Sequence, residues 1–480
     1  MATDVDASVD VLVIGAGGCG LVAALAAERL GASVAIVEKA PTCQGNTALS
    51  SGSIPAAGTR LQQAAGVEDT AETFVRDLMA AAGQHDAAHL VASLASTSAD
   101  LIDFLIDEAD LELELVTGYK HVGHSTHRLH APPSRRGADL IAGLEGAVAQ
   151  RGIPLAFSQP ATGLIGDGAR VRGAVVFNAD TPSRIGAGAV ILACNGFAAR
   201  TDLLARHCPA ANGAVYAGSP HSTGEALEWG LALGAGTGNL GAYQGHAAIS
   251  VDTGALMTWT LVERGAIIVD GRGRRFGDET LGYSAFADLE LAGAGPFFLV
   301  YDARIAEDVA AGQPDFAEAC AMGVARKAGS PGEIETTAGL PAGALAKTLA
   351  AARAAARGEA TDAFGRLAWG LGPLGAALRY SAIQPACFHT QGGLLVNGQA
   401  EVVRSDGTAI PGLYAGGGAA VGISGRRGGA GYMSGNGLLS ALGLGFIAGR
   451  AAASRLVSAS GLPGLAGRHD VSNQPIHNGG

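Results

Sequence analysis

Charge is what this chain has least of. Only 16% of its 480 residues are Asp, Glu, Lys or Arg, and 32 basic residues face 43 acidic ones, a net charge of −11. No Lys/Arg-rich run stands out, so the electrostatic footprint for nucleic acid or an anionic membrane surface is missing. Cysteine is scarce as well. The six residues, at 19, 43, 194, 208, 320 and 387, form no CxxC, no haem attachment motif and no zinc spacing. They read as reduced thiols of a cytoplasmic protein with no metal site. The N-terminus, MATDVDASVD, has acids where a secretory signal needs a basic region followed by an apolar one. The apolar stretch from Leu438 to Ala448 reads as too short and too glycine-rich to insert into a membrane. With 48% hydrophobic residues the chain is not a disordered low-complexity sequence either. Its length allows two or three domains.

Glycine is abundant, at 74 residues, and its placement is informative. Asp10 to Lys39 reads DVLVIGAGGCGLVAALAAERLGASVAIVEK. Val11 to Ile14 is a continuous apolar run, the pattern of a parallel strand covered on both faces. Gly15, Gly17 and Gly20 then complete GxGxxG. Gly15 permits the tight turn, Gly17 lets the backbone approach a pyrophosphate, and Gly20 lets a helix from about Leu21 to Leu30 pack on the strand. The phosphates would sit at that helix's N-terminus. A second strand, Ser33 to Val37, ends at Glu38, whose carboxylate suits ribose hydroxyls and not a 2′-phosphate. Strand, glycines, helix and acid together predict FAD or NAD, and the motif alone does not choose between them.

Alternating strands and amphipathic helices over the first two hundred residues predict an α/β fold. Further strands are expected at Val171 to Asn178 and Val190 to Ala193, the second running into CNGFAAR. From about Gly236 to Arg366 the texture changes. GAIIVDGRGRRFGDE reads as a hairpin around Gly271 to Gly273, and Ala342 to Arg357 as an alanine-rich helix. Strand-like alternation returns at Gly393 to Val403, with a turn at Ser405-Asp406-Gly407, and SGNGLLSALGLGFIAGRAAA reads as an apolar helix opened by glycines. The expected division is 1–235 and 367–466 for a Rossmann-like nucleotide-binding domain, 236–366 for an inserted α+β cap, and 467–480 for a mobile polar tail.

Along nearly its whole length the chain resembles the flavoprotein superfamily of fumarate reductase, succinate dehydrogenase and 3-ketosteroid dehydrogenase. The blocks that carry this are DVLVIGAGGCGLVAALAA, GNTALSSGSI, VILACNGFAAR, HSTGEALEWGLALGA, GAIIVDGRGRRFGDE, FHTQGGLLVN and IPGLYAGGGAAVG. The resemblance implies FAD in the first domain and a cap closing the substrate against the flavin. It also implies hydride exchange at a carbon beta to a carbonyl, with a proton moving at the alpha carbon. The FAD-binding positions it implies are Gly15, Gly17, Gly18, Gly20, Glu38, Lys39, Asn46, Thr47, Ser51, Gly52, Asn195, Gly196, His389, Gly417, Gly418, Gly437 and Leu438.

Departures from the family pattern select a branch. Covalent flavin attachment uses a His where this chain has Asn46, so FAD is expected to be non-covalent. Fumarate reductases place a His where Phe388 stands, an Arg where Tyr432 stands, and an Arg three residues after the Glu matching Glu279, where this chain has Gly282. The dicarboxylate clamp is thereby dismantled. Ketosteroid dehydrogenases carry a base Tyr four residues after that Glu, and GDETLGY supplies Tyr283 at the same spacing. They also carry a Tyr and a nearby glycine N–H that hold the ketone oxygen, matched by Tyr432 and Gly435 in GYMSGNG. Tyr432-Met433-Ser434 resembles the Δ4 branch more than the Δ1 branch. Tyr119 stands where Δ1 enzymes have a Tyr that assists the base.

An unactivated C–H does not yield to a side-chain base, so the chemistry needs donors on the ketone oxygen, here Tyr432 O–H and Gly435 N–H. Tyr283 as base needs a phenol acidified well below its ordinary value of about 10. His389 is expected to donate a hydrogen bond on the flavin side. His121, His124, His127 and His130 are expected on a solvent-facing loop lining the substrate entrance, without a metal, and Arg426-Arg427 on a surface turn. The expectation is a FAD-dependent CH–CH oxidoreductase acting next to the ketone of a steroid or smaller cyclic ketone, with an electron acceptor or donor that the sequence does not identify. A fumarate- or urocanate-type enoate reductase is the rival, and a non-catalytic FAD-binding redox subunit the alternative from another class.

Overall fold

The computed structural model describes residues 5–118, 120, 121, 123–179 and 181–460. The roles expected of Tyr119 and of the 467–480 tail lie outside the described residues.

The run Val11 to Ile14 forms the end of the strand Ala7–Ile14, which lies parallel between Val34–Val37 and Thr181–Leu192, with Val11 opposite Val34 and Val13 opposite Ile191. Leu155–Ala156 extends this sheet in parallel on one side and Ala409–Ala415 on the other, beyond which Glu401–Val403 pairs antiparallel. Ala161–Gly166 and Val171–Asn178 leave it as an antiparallel ladder on Thr181–Leu192. Val11 to Val13 are fully buried, as strands between helical layers must be. The helix Gly18–Glu28 starts earlier than expected, at the motif itself, and nearly all of it is buried. A Cβ on Gly20 would lie 1.8 Å from the Gly15 carbonyl oxygen, so the helix packs where only glycine fits. The C-terminal helix crosses the same helix equally closely. A Cβ on Gly445 or Gly449 would fall 2.4 or 2.2 Å from the Cys19 or Ala23 carbonyl oxygen.

A second, largely antiparallel sheet orders Ile267–Asp270, Phe297–Asp302, Leu378–Thr390 and Gly241–Ser250, and its own apolar core runs from Ala247 to Ile383. Sheet membership crosses the expected division at residue 366. Leu378–Thr390 pairs with both Phe297–Asp302 and Gly241–Ser250, then runs on so that Cys387 packs in the core of the nucleotide-binding part. This long strand carries Phe388 and His389 to the junction of the two cores.

Two expected elements differ. Gly273 N–H does close a turn onto the Asp270 carbonyl at 2.9 Å, but no hairpin follows, because Ile267–Asp270 pairs with Phe297–Asp302. The Glu279 carboxylate fills the place of a returning strand. It accepts from Ile268 N–H at 3.1 Å and is clamped by Arg275 and Arg366 in a buried ion network with Asp362. The alternation at Gly393 to Val403 breaks into Gly393–Leu394 and Glu401–Val403. Asn397 Oδ1 caps the intervening turn, accepting from Gln399 and Glu401 N–H. The helix expected at Ala342 to Arg357 spans Ala344–Ala356.

Two helices, Ala88–Asp107 and Asn436–Leu456, are long and apolar enough to cross a membrane by length and composition. The second extends the stretch at Leu438 to Ala448 that sequence reads as too short. Half of the first and two-thirds of the second are buried within the fold, which accounts for their apolar character.

Candidate active site

One continuous cleft runs between the two cores, from Gly15, Gly17 and Glu38 at one end to Trp259, Tyr283 and Tyr432 at the other. At the nucleotide end Gly15 holds φ +109°, with its α-carbon against the Ala193 carbonyl, while nothing stands within 4 Å of a Cβ on Gly17. Backbone is therefore exposed to the cleft at Gly17, where a pyrophosphate needs it. The Glu38 oxygens accept from Ala16 N–H and Ala40 N–H, each at 2.7 Å. A carboxylate keeps further lone pairs for ribose hydroxyls. Lys39 Nζ donates to Thr223 and Glu225. Burial opposes the Glu225 charge, but these hydrogen bonds hold its pKa below the usual carboxylate value.

Gly18, Thr47, Ser51, Asn195, Gly417, Gly418, Gly437 and Leu438 also line the cleft. Gly20, Gly52 and Gly196 stand behind it. Gly52 packs at φ +70° against Pro132 and Arg136, and a Cβ on Gly196 would meet Thr390 Oγ1 at 2.3 Å. Asn46 Oδ1 accepts from Ser219 N–H at 2.7 Å and its amide nitrogen reaches the Phe388 carbonyl. The donor set fits FAD: open backbone for the pyrophosphate and an acid for the ribose.

At the other end the aromatics gather. Gly282, at φ +96°, turns the chain into the helix Tyr283–Ala292, whose first residue is the expected base. Ser284 Oγ, accepting from Gly245 N–H at 2.8 Å, seats the helix on the strand Gly241–Ser250. His246 of that strand stacks on Tyr283 with ring centroids 4.9 Å apart and planes 22° apart. Trp259 stands edge-on to His246 at 5.9 Å, and Phe388 at 6.0 Å. Tyr432 lies 5.9 Å from Tyr283 and 6.2 Å from His389.

The Tyr283 side chain faces Tyr432, and both line the cleft with Ser434. The Tyr432 oxygen accepts from Gly437 N–H at 3.1 Å. Gly435, at φ +87°, opens the helix Asn436–Leu438 at the edge of the same space. The expected acidification of Tyr283 is overturned. Burial first, and the neighbouring Tyr432 second, push its phenol well above its ordinary value. Burial likewise pushes Tyr432 up to about 12, and pushes the imidazole of His246 down to about 3 and that of His389 below its usual value. His246 Nδ1 accepts from Ala248 N–H, so its ring hydrogen sits on Nε2.

The histidine loop is not uniformly solvent-facing. His121 lines the cleft and pairs with Glu263 at 2.8 Å. His124 is buried, held at about 3 by burial, and its Nε2 donates to the Ser434 carbonyl at 2.9 Å, so it positions the Tyr432 loop. His130 is fully buried between the Arg128 carbonyl and Thr59. No metal-binding cluster occurs among the described residues. Arg426 is exposed and pairs with Asp86, and Arg427 is exposed on a short strand, so neither reaches the cleft. Sequence reasoning missed Trp259, His246 and Gln244. The signal was there for the last two: polar residues two apart in an apolar strand share one face.

Comparison with known proteins fits this geometry. Residues 10–438 match the FAD binding domain family. NADH:fumarate oxidoreductase of Klebsiella pneumoniae is 29% identical over 453 residues, 93% of this chain and 48% of that protein. The chain thus spans about half that relative's length. The probable fumarate reductase Ifc3 of Shewanella frigidimarina is 30% identical over 448 residues, 92% of this chain and 74% of the relative. The structure of 3-ketosteroid-Δ4-(5α)-dehydrogenase of Rhodococcus jostii, in complex with 4-androstene-3,17-dione, superimposes with a TM-score of 0.76 at 25% identity, covering 94% of this chain and 98% of that one. The family match and the open glycine end of the cleft together make this an FAD-binding flavoprotein. The chain belongs to the fumarate reductase and succinate dehydrogenase flavoprotein superfamily.

Proposed function

We propose that the protein interconverts α,β-unsaturated and saturated ketones of a compact, largely apolar skeleton. The observation that carries this is the Tyr283–Tyr432 pair, ring centroids 5.9 Å apart, inside a wall of His246, Trp259, Phe388 and His389. Exposed Leu49 and Leu256 on the same cleft suit an apolar ligand. FAD, bound at the glycine end, supplies a hydride to the beta carbon or accepts one from it. The Tyr432 oxygen accepts from Gly437 N–H, which leaves its own hydrogen for a ketone oxygen. That donor stabilises charge on the oxygen as the alpha carbon is protonated or deprotonated. A phenol held above its ordinary pKa is a reservoir of acid and a poor base at neutral pH. Tyr283 therefore gives its proton to the alpha carbon in reduction. In the reverse direction only its small phenolate fraction accepts one.

A second reading, reduction of an unsaturated carboxylate, is favoured by the fumarate reductases among the relatives and by Arg135. Arg135 lines the cleft, and its Nη1 is buried without a hydrogen-bond partner among the described residues. A reoxidation screen of the photoreduced holoenzyme separates the two. Cyclic enones reoxidise the flavin under the first reading, and fumarate, acrylate or urocanate under the second. Reoxidation by the acids alone defeats the ketone assignment.

A further inference from the structure

Each addition of hydrogen across the double bond takes one proton from Tyr283, which must be replaced before the next turnover. Glu279, four residues before it, cannot supply one. Its side chain is fully buried and its oxygens are taken up by Ile268 N–H, Arg275 and Arg366. His246, stacked on the phenol, is 5% exposed and walled by Trp259 and Phe388, with Nδ1 already accepting from Ala248 N–H. His389 is half-buried beside Tyr432, with Nδ1 against the Thr390 carbonyl.

His121 and Glu263 remain. The imidazole belongs to the nucleotide-binding part and lines the cleft that Tyr283 lines. The carboxylate ends the helix Thr260–Glu263, one turn after Trp259, in the second core. Their side chains meet at 2.8 Å and are 15% exposed each, at the border between cleft and solvent. Glu263 Oε2 is buried with no hydrogen-bond partner among the described residues. A carboxylate at this distance fixes the orientation of the imidazole beside it. The Glu263 charge also acts electrostatically on Tyr283, so the two lie in one field. Among the described residues, His121 acts electrostatically on His124 and Glu263 on Tyr283, while neighbouring Arg264 pairs with Asp308.

Resting on the ketone-reduction reading, we infer that His121, held by Glu263, is the proton-supplying residue that reloads Tyr283 between turnovers. The imidazolium gives one proton, through water in the cleft, to the Tyr283 phenolate left by each reduction. The neutral imidazole then takes one from solvent. No electrons move in this exchange, and it ends with Tyr283 as phenol and His121 as imidazolium.

The test uses holoenzyme reduced with dithionite and mixed with 2-cyclohexenone or 4-androstene-3,17-dione. Flavin reoxidation reads the single turnover, and methyl viologen as electron donor sustains the steady state. In His121→Gln the single turnover, spending the proton already on Tyr283, stays within a few fold of wild type. Steady-state turnover falls by roughly a hundredfold, the scale of a lost general acid, and added imidazole restores much of it. Turnover close to wild type overturns the inference, as does a single turnover slowed as much as the steady state or an absence of imidazole rescue. Glu263→Gln gives the same split in smaller measure and decides the matter if His121→Gln fails to retain FAD. If wild-type enzyme is not reoxidised by either ketone, it is the ketone reading that fails, whatever the variants do.

Discussion

Replacing Tyr432 by Phe removes one oxygen from the middle of the site and little else. That oxygen accepts from Gly437 N–H at 3.1 Å. The ring itself still packs 5.9 Å from Tyr283 and 6.2 Å from His389. Losing an oxyanion donor costs about 2.7–4 kcal/mol in the transition state, or roughly a hundred- to a thousandfold in kcat. The Gly437 N–H loses its acceptor, a stability cost of about 1 kcal/mol because the cleft admits water to that first helical turn. The two effects differ enough in size to be separated. Stopped-flow reoxidation of reduced enzyme by an enone should slow by at least roughly a hundredfold, while Tm drops slightly and the flavin absorption spectrum is unchanged. Ketone reduction within a few fold of wild type refutes the assignment of Tyr432 to the carbonyl.

Denaturation should release intact FAD into the supernatant, since Asn46 forms no histidyl link, and flavin remaining with the precipitated chain contradicts this. Tyr283→Phe should abolish exchange of a bound ketone's alpha hydrogen with deuterated water while the ligand still perturbs the flavin spectrum; exchange at the wild-type rate places the proton transfer elsewhere. The single-turnover rate of enone reduction should stay flat through neutral pH and fall only well above pH 10, because the raised phenol pKa keeps the acid form of Tyr283 until then. A fall near neutrality means another group gives the proton. Gly20→Ala places a methyl 1.8 Å from the Gly15 carbonyl oxygen, so stability should drop by about 1–3 kcal/mol and FAD occupancy with it; unchanged Tm and flavin content would show that the helix has room to shift.

The nucleotide end was legible because its chemistry is local. Gly15, Gly17, Gly20 and Glu38 act within one strand–helix–strand unit, where each residue's role follows from its neighbours in sequence. Gly282 shows the limit of such reading. As a letter it marks only the loss of an arginine, and its work, turning the chain at φ +96° so that Tyr283 opens a helix on the cleft, is a backbone property. The hairpin at Gly271 to Gly273 failed for a non-local reason: Glu279, drawn in by Arg275 and Arg366, occupies the edge where a returning strand would pair.

The protonation state of Tyr283 was the least legible feature of all. Spacing identifies a tyrosine beside a second tyrosine, and a base acting at neutral pH would need an acidified phenol. The fold supplies the opposite field. His246 stacks on the ring, Trp259 and Tyr432 close round it, and the nearest carboxylate, Glu263, adds negative charge. Among these groups none is a cation that would stabilise a phenolate. Residues from three distant segments build that surrounding, so no window of sequence contains it. A site assembled this way holds its proton until a carbon next to a polarised ketone takes it. The same residues that make Tyr283 a weak base make it a durable acid.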